Sequence, residues 1–435
     1  MKATEFKRRR KQLMRIMGPD SIAILPASPV AVRNRDVEYP YRPDSDFFYL
    51  TGFPEPESVA VLAPGRPHGE FVLFCRERNP TTELWTGRMA GQEGAIEEFG
   101  ADDSFPIDDL DDILPGMLEK VTRVYYTMGQ YGTFDQRLMD WVRRLRERAR
   151  AGVHAPIEFV SLDHFLHDLR LYKSRAEIAL MRKAADIAAA GHLRAMQVCE
   201  PGMTEYQIEA ELTHEFIRRG ARAHAYPAIV AAGENACVLH YTENRAPLAD
   251  GDLLLIDAGA EVDCYASDIT RTFPVNGRFT PAQRAIYDLV LDAQYAAIDA
   301  IKPGVGWNEP HDAAVKVLAR GLSKLRILKE TPAQALKKQT YKRFYMHRTG
   351  HWLGMDVHDV GDYMVGDAWR MLEPGMVMTV EPGLYIPPGA SGIAKKWWGI
   401  GVRIEDDVVV TKTGSEVLTD AVPKAADAVE AAMAA

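Results

Sequence analysis

No stretch of this 435-residue chain approaches the roughly 20 apolar residues a membrane span requires. Its first residues also lack the apolar run of a secretory signal. A soluble, cytoplasmic protein is the expectation. Cysteine is scarce: the four, at positions 75, 199, 237 and 264, form no CxxC pair. Their spacing excludes a disulfide framework or a thiolate zinc site and predicts reduced, mostly buried thiols. Positive charge is short as well. With 61 acidic against 52 basic residues the formal charge is −9, which argues against a nucleic-acid partner. The one basic run, Lys7-Arg8-Arg9-Arg10-Lys11, lies among Phe6, Leu13, Met14 and Ile16 and reads as the solvated face of a first helix.

What is present is the composition of an ordinary folded protein, too long for one core, so two domains are expected. Residues 1–168 read as an N-terminal α/β domain without a cluster of chemically active side chains. Strand-like runs fall at 21–25, 59–63 and 71–75, and the clearest helical stretch is 136–148. Residues 169–435 read as the catalytic domain. Ser174-Arg-Ala-Glu177 is a capping box with Ile178, Met181, Ala185 and Ala188 behind it at helical spacing. Thr204-Glu-Tyr-Gln207 opens a second helix that Gly220 stops, and Thr280-Pro-Ala-Gln283 opens a third with proline at its first position. A fourth helix should run toward Gly321. Leu248-Ala-Asp-Gly251-Asp-Leu-Leu-Leu-Ile-Asp257-Ala-Gly259 lays over Leu372-Glu-Pro-Gly375-Met-Val-Met-Thr-Val-Glu381-Pro-Gly383, with leucine, both glycines and a carboxylate in register. The catalytic region is therefore read as an internal duplication, two helix–helix–sheet halves each presenting acids from its sheet.

Those acids carry the chemistry. Asp257 ends the apolar run 253–256 and Asp268 opens the run 269–275. With Gly259 and Asp263 between them, they are expected to face each other on adjacent antiparallel strands. Glu381 ends the run 376–380 and Glu405 sits in Gly401-Val-Arg-Ile-Glu405. Three histidines, His347, His351 and His358, fall within twelve positions, in a chain with only twelve in all. A carboxylate buried in an apolar strand needs a cation or a hydrogen-bond network. Four acids and one imidazole suit two divalent ions such as Mn, Co or Zn, held roughly 3.5–4 Å apart with a hydroxide between them as nucleophile. Residue types alone reach a dinuclear metallohydrolase and no substrate.

At these residues the chain resembles the Xaa-Pro aminopeptidase and prolidase group of the M24 peptidases, which share the pita-bread fold with methionine aminopeptidases. The resemblance rests on Ile256-Asp-Ala-Gly-Ala260, Ser267-Asp-Ile-Thr-Arg271, His351-Trp-Leu-Gly-Met-Asp-Val-His358-Asp-Val-Gly361, Val380-Glu-Pro-Gly-Leu-Tyr385 and Gly401-Val-Arg-Ile-Glu405. Tyr41-Arg-Pro-Asp-Ser-Asp46-Phe-Phe-Tyr-Leu-Thr-Gly52-Phe resembles the non-catalytic domain of the aminopeptidase branch. It implies metal ligands Asp257, Asp268, His351, Glu381 and Glu405, with Asp268 and Glu405 bridging two ions, most commonly manganese. It implies Glu381 as proton shuttle, and His240, His347 and His358 as substrate contacts near the scissile carbonyl. Arg403 would orient the ligand carboxylates and Tyr385 would add a supporting hydrogen bond. The implied reaction removes an N-terminal residue that precedes proline, from peptides, in a homodimer or homotetramer. One departure stands out: Arg348 occupies a place where many relatives carry glycine, which bears on substrate preference. The alternatives within the fold are an Xaa-Pro dipeptidase, a binding protein that has lost catalysis, and a metal-free amidinohydrolase. The presence of all five implied ligands disfavours the last two.

Overall fold

Short β-branched and aromatic runs become strands in the computed structural model, which describes residues 1–435 and divides into Met1–Leu169 and Arg170–Ala435. The first unit is built on a six-stranded sheet in the order Asp103–Pro106, Phe71–Cys75, Val59–Leu62, Ser21–Pro26, Arg123–Tyr125, Glu158–Val160. The three central strands pair antiparallel and the outer ones parallel. The helical stretch foreseen at 136–148 is the helix Gly132–Glu147, whose Trp141 is fully buried and donates Nε1 to Asp111 Oδ1 at 2.7 Å.

The first helix, Ala3–Met17, keeps Lys7, Arg8 and Lys11 of its basic run exposed as read, but corrects the reading at the other two positions. Arg9 and Arg10 are 1% and 4% exposed. Arg9 Nη1 donates to Tyr49 O at 3.0 Å and Arg10 Nη1 to Leu50 O at 2.9 Å, carbonyls of the last turn of the helix Ser45–Thr51. Helix ends leave such carbonyls without intrahelical donors, and an arginine that also stacks on a ring can be buried to satisfy them. Arg10 lies 3.9 Å from the Phe71 ring centroid, and burial pulls it down to about 10.

In the second unit the series helix, helix, sheet occurs twice. The pair Arg175–Val198 and Glu205–Arg218 precedes an antiparallel sheet of Ile229–Ala232, Leu253–Asp257 and Thr270–Pro274. The pair Pro281–Ala300 and Glu309–Lys324 precedes Val377–Val380, which pairs antiparallel with Asp406–Val410. A hairpin of Gly383–Ile386 and Ile400–Arg403 completes the second half. Each half has its own core, one around Phe216, Ile256 and Phe273, the other around Leu289, Trp352 and Ile404. The capping box at Ser174 forms as read, and Thr280, read as a helix start, makes one too. Gly321, by contrast, does not end its helix, which continues to Lys324. A Cβ there would lie 2.1 Å from Leu289 Cδ1, so the glycine admits a close helix–helix contact. All four cysteines are free, and only Cys75 is buried; the other three are half-buried. No helix is long and apolar enough to cross a membrane.

Candidate metal centre

Asp257 and Asp268 reach one place by a route slightly different from the expected one. Asp257 ends its strand opposite Thr270, and Asp268 precedes the partner strand by two residues. The intervening chain forms a small hairpin, Ala260–Val262 with Tyr265–Ala266, turned by Asp263 and Cys264 at φ 49° and 64°. The two acids therefore do not pair across the ladder. What joins them is Tyr226, whose hydroxyl oxygen lies 2.6 Å from Asp257 Oδ1 and 2.5 Å from Asp268 Oδ1, so its one proton is shared between the two carboxylates. Gly259 lets the chain close, since a Cβ there would lie 1.8 Å from Ser267 O.

The second half delivers His351 and Glu381 by a similar close approach. The segment around residue 350 runs beside the strand Val377–Val380: Thr379 N donates to His351 O at 3.0 Å and Glu381 N to Thr349 O at 2.7 Å. A Cβ on Gly350 would fall 2.0 Å from Thr379 O, so the glycine just before His351 is what allows this pairing. Asp359, fully buried, accepts from Arg170 at 2.6 Å and Lys173 at 2.8 Å and pins the far end of the histidine segment. Glu405 leaves the end of the strand Ile400–Arg403. Its Oε2 accepts from Thr270 Oγ1 at 2.5 Å, and that oxygen accepts from Arg403 Nε at 3.1 Å.

The five donors thus surround one space. Ligand atoms of Asp268, His351 and Glu405 lie within 4.8 Å of one another. His351 Nε2 is 3.4 Å from Asp268 Oδ2 and 3.7 Å from Glu381 Oε1, while its Nδ1 is 2.9 Å from Trp352 O. A ring that donates Nδ1–H to a carbonyl directs Nε2 inward as a ligand. Asp257 accepts from Arg403 Nη2 at 2.5 Å.

The electrostatics of these groups favour added positive charge. Four carboxylates, three of them buried and that of Glu381 half-buried, face one guanidinium and one imidazole. Burial, then the charges of Asp268, Glu381 and Asp257, push Glu405 well above the carboxylate range. Burial raises Glu381 to about 7 against the pull of His351 and Arg403. Burial alone would depress His351, but Asp268 and Glu381 hold it up at about 9. Acids this strongly displaced are short of positive charge, and four oxygens with one nitrogen match a pair of borderline divalent ions. The donor set fits a dinuclear site.

Around the centre opens a cavity of about 900 Å³, lined also by Ile229, Leu239, Trp307 and Tyr363. His240, His347 and His358 all line it. His358 stands edge-on to His351, ring centroids 4.4 Å apart, and neither His358 nor His240 is hydrogen-bonded within the protein. His347 differs. Its Nδ1 is 2.7 Å from Arg348 O and its Nε2 is 2.9 Å from Tyr385 OH, while Arg403 Nη1 donates to the same hydroxyl at 3.2 Å. With the hydroxyl accepting from Arg403, it donates to His347, whose other nitrogen donates to the carbonyl. The ring is neutral, driven by burial down to about 3. Both its nitrogens are engaged within the protein, so it offers an oxyanion no free N–H.

Tyr226 is the residue the sequence did not reveal. It stands 31 and 42 positions from the acids it joins, in no motif. Thr270 was within reach, because alternation along a strand puts it on the face of Asp268. Tyr226→Phe is expected to weaken metal affinity by about 10–100-fold with the fold retained. Titration of the metal-free variant by calorimetry checks this, and an affinity equal to wild type refutes it.

The family model described as metallopeptidase family M24 matches residues 179–412, and that of the aminopeptidase P N-terminal domain matches residues 6–125. The Xaa-Pro aminopeptidase of Escherichia coli (strain K12) is 46% identical over 432 residues, 99% of this chain and 98% of the relative. The structure of aminopeptidase PepP from Pseudomonas aeruginosa superposes with a TM-score of 0.99 at 62% identity, covering 100% of this chain and 98% of that one. A zinc-substituted E. coli aminopeptidase P in complex with product gives 0.97 at 46% identity, with coverage of 100% and 98%.

Proposed function

Since the chain belongs to metallopeptidase family M24, we propose that its acid-lined cavity hydrolyses the peptide bond between an N-terminal residue and a proline in second position. The enzyme is an Xaa-Pro aminopeptidase acting on peptides, and its N-terminal unit is non-catalytic. The observation that carries this reading is the convergence of Asp257, Asp268, His351, Glu381 and Glu405 on one cavity with too little positive charge to balance them.

Those five side chains would hold two divalent ions, and manganese is the metal we propose. When bound, the ions supply Lewis acidity toward the scissile carbonyl and make water acidic enough to attack it at neutral pH. The protein's own groups do the rest. Tyr226 and Arg403 fix Asp257 and Asp268 as acceptors by hydrogen bonds at 2.5–2.6 Å. Glu381 takes a proton from the attacking water and passes it to the leaving nitrogen. That nitrogen belongs to a proline ring and carried no hydrogen in the peptide, so it cannot leave without one. His240 and His358, free of protein partners, donate to the carbonyl oxygen as charge develops there. His347 and Tyr385 set the position of Arg403. The apolar wall of Ile229 and Leu239 suits the ring.

A homodimer or homotetramer in the cytoplasm is part of this proposal. Support for self-association comes from the first unit, where Leu84 and Trp85 are 85% and 86% exposed. The function is tested with Phe-Pro-Ala and Phe-Ala-Ala after chelation and manganese add-back. Release of free phenylalanine from the proline peptide alone, lost on chelation and restored by manganese, is expected. Indifference to the chelator or equal cleavage of both peptides would overturn the reading.

A further inference from the structure

Arg348 has no part in the reaction as described, yet it stands at the wall of the cavity. Its carbonyl binds His347, and its side chain turns out to the rim, where Nη1 donates to Asn308 Oδ1 at 2.7 Å. The guanidinium carbon lies 4.8 Å from the Trp369 ring centroid. No acidic side chain pairs with it. Asn308 precedes the helix Glu309–Lys324 but does not cap it with its side chain; the amide oxygen goes to the arginine instead. A neutral amide and an aromatic face hold a planar guanidinium in place without neutralising it.

Arg348, Trp369 and His347 also line an adjoining cavity of about 460 Å³, where Lys342 adds a second cation and Asp312 is the one acid. The ammonium of Lys342 binds the neutral Gln339 Oε1 at 2.9 Å. The surroundings therefore favour an anion. An aminopeptidase accepts a single residue before the scissile bond, so what extends into a further cavity is the peptide on the other side.

We propose that Arg348 is a specificity-determining residue whose guanidinium, held by Asn308 and Trp369, binds a carboxylate carried by the peptide beyond its proline. The proposal rests on the aminopeptidase reading. That carboxylate is either the C-terminus of a tripeptide or an acidic side chain in a longer chain, and the planar fork accepts both in bidentate geometry.

The test compares kcat/KM for Phe-Pro-Ala with a free C-terminus, the same peptide as its amide, and Phe-Pro-Glu amide. The wild type is expected to favour one or both charged peptides over the neutral amide by about tenfold, through KM. Preference for the free acid alone assigns the C-terminus, and preference for the glutamyl amide assigns the side chain. In Arg348→Met, which keeps an apolar stem over Trp369, the ratio falls close to unity, and Arg348→Lys recovers part of it. Asn308→Asp offers the guanidinium an internal carboxylate at a position where helices favour Asp, and it also flattens the ratio. A purely structural arginine would change all three peptides alike. Calorimetry with Pro-Ala and its amide, on the manganese-loaded protein, reads the same preference without turnover. A flat ratio in the wild type, a ratio unmoved by Arg348→Met, or preference for Glu-Pro-Ala amide, where the charge precedes proline, overturns the proposal. Turnover without calorimetric preference refutes this site alone. Preference without turnover refutes the aminopeptidase reading alone.

Discussion

Asp268→Ala lowers kcat/KM on Phe-Pro-Ala by about 10³-fold or more, on the scale of what metal-ion catalysis contributes, while the metal-free protein melts no lower than the wild type. Both halves of this expectation come from the same crowding. Asp268 is the acid that lies with His351 and Glu405 inside 4.8 Å, so its loss breaks the three-donor group that meets in this cavity. Its charge is also among the causes that displace Glu405, Glu381 and Asp257 upward. Deleting it relieves three neighbours at once in the absence of metal, which offsets the loss of its own contact with His351. Tyr226 keeps Asp257 as acceptor, so no hydroxyl is orphaned. Asp268→Asn, which keeps the shape, should lose activity comparably. The checks are steady-state kinetics and thermal melts of chelated protein. Near-normal turnover in either variant removes Asp268 from the centre.

The metal-free protein loses stability between pH 6.5 and 9, and manganese restores it most at the alkaline end. The sign follows from two groups held above their ordinary values. Glu381, at about 7 against 4.5, favours folding fully below pH 4.5, and its contribution is lost as pH rises through 7. His351, at about 9 against 6.5, does the same between 6.5 and 9. His347, at about 3 against 6.5, acts in the opposite direction, adding stability as pH rises, but that gain is complete by 6.5. Above 6.5 only losses remain, each about 1.4 kcal/mol per pH unit per proton released. Cations bind the deprotonated donors and the folded state, so their stabilisation grows as the protons leave. Melting curves from pH 6 to 9, with chelator and with manganese, should diverge by several degrees. Parallel curves would show that these acids are not short of a cation.

Much of this site was legible because its donors sit where local rules place them. Asp257 and Glu381 each close an apolar β run after a glycine, and the capping boxes at Ser174 and Thr280 fix the helices that precede each half. What escaped depends on distant partners. Nothing near Tyr226 marks it as the hydroxyl between two acids. The burial of Arg9 and Arg10 is decided by carbonyls some 40 residues away, which periodicity along a helix does not register. The pairing of Asp257 with Thr270 rather than Asp268 was hidden by the small hairpin between them, whose turn residues gave the reversal but not its register.

The tether at Asp359 bears on where this chain can be cut. Arg170 and Lys173 lie upstream of residue 179, where the M24 match begins, yet they are the cations that neutralise a carboxylate buried in the histidine segment. A fragment trimmed to residue 179 would strand that negative charge in the interior and unfasten the loop bearing His351 and His358. The smallest autonomous catalytic piece accordingly starts no later than Arg170, nine positions ahead of the homology boundary.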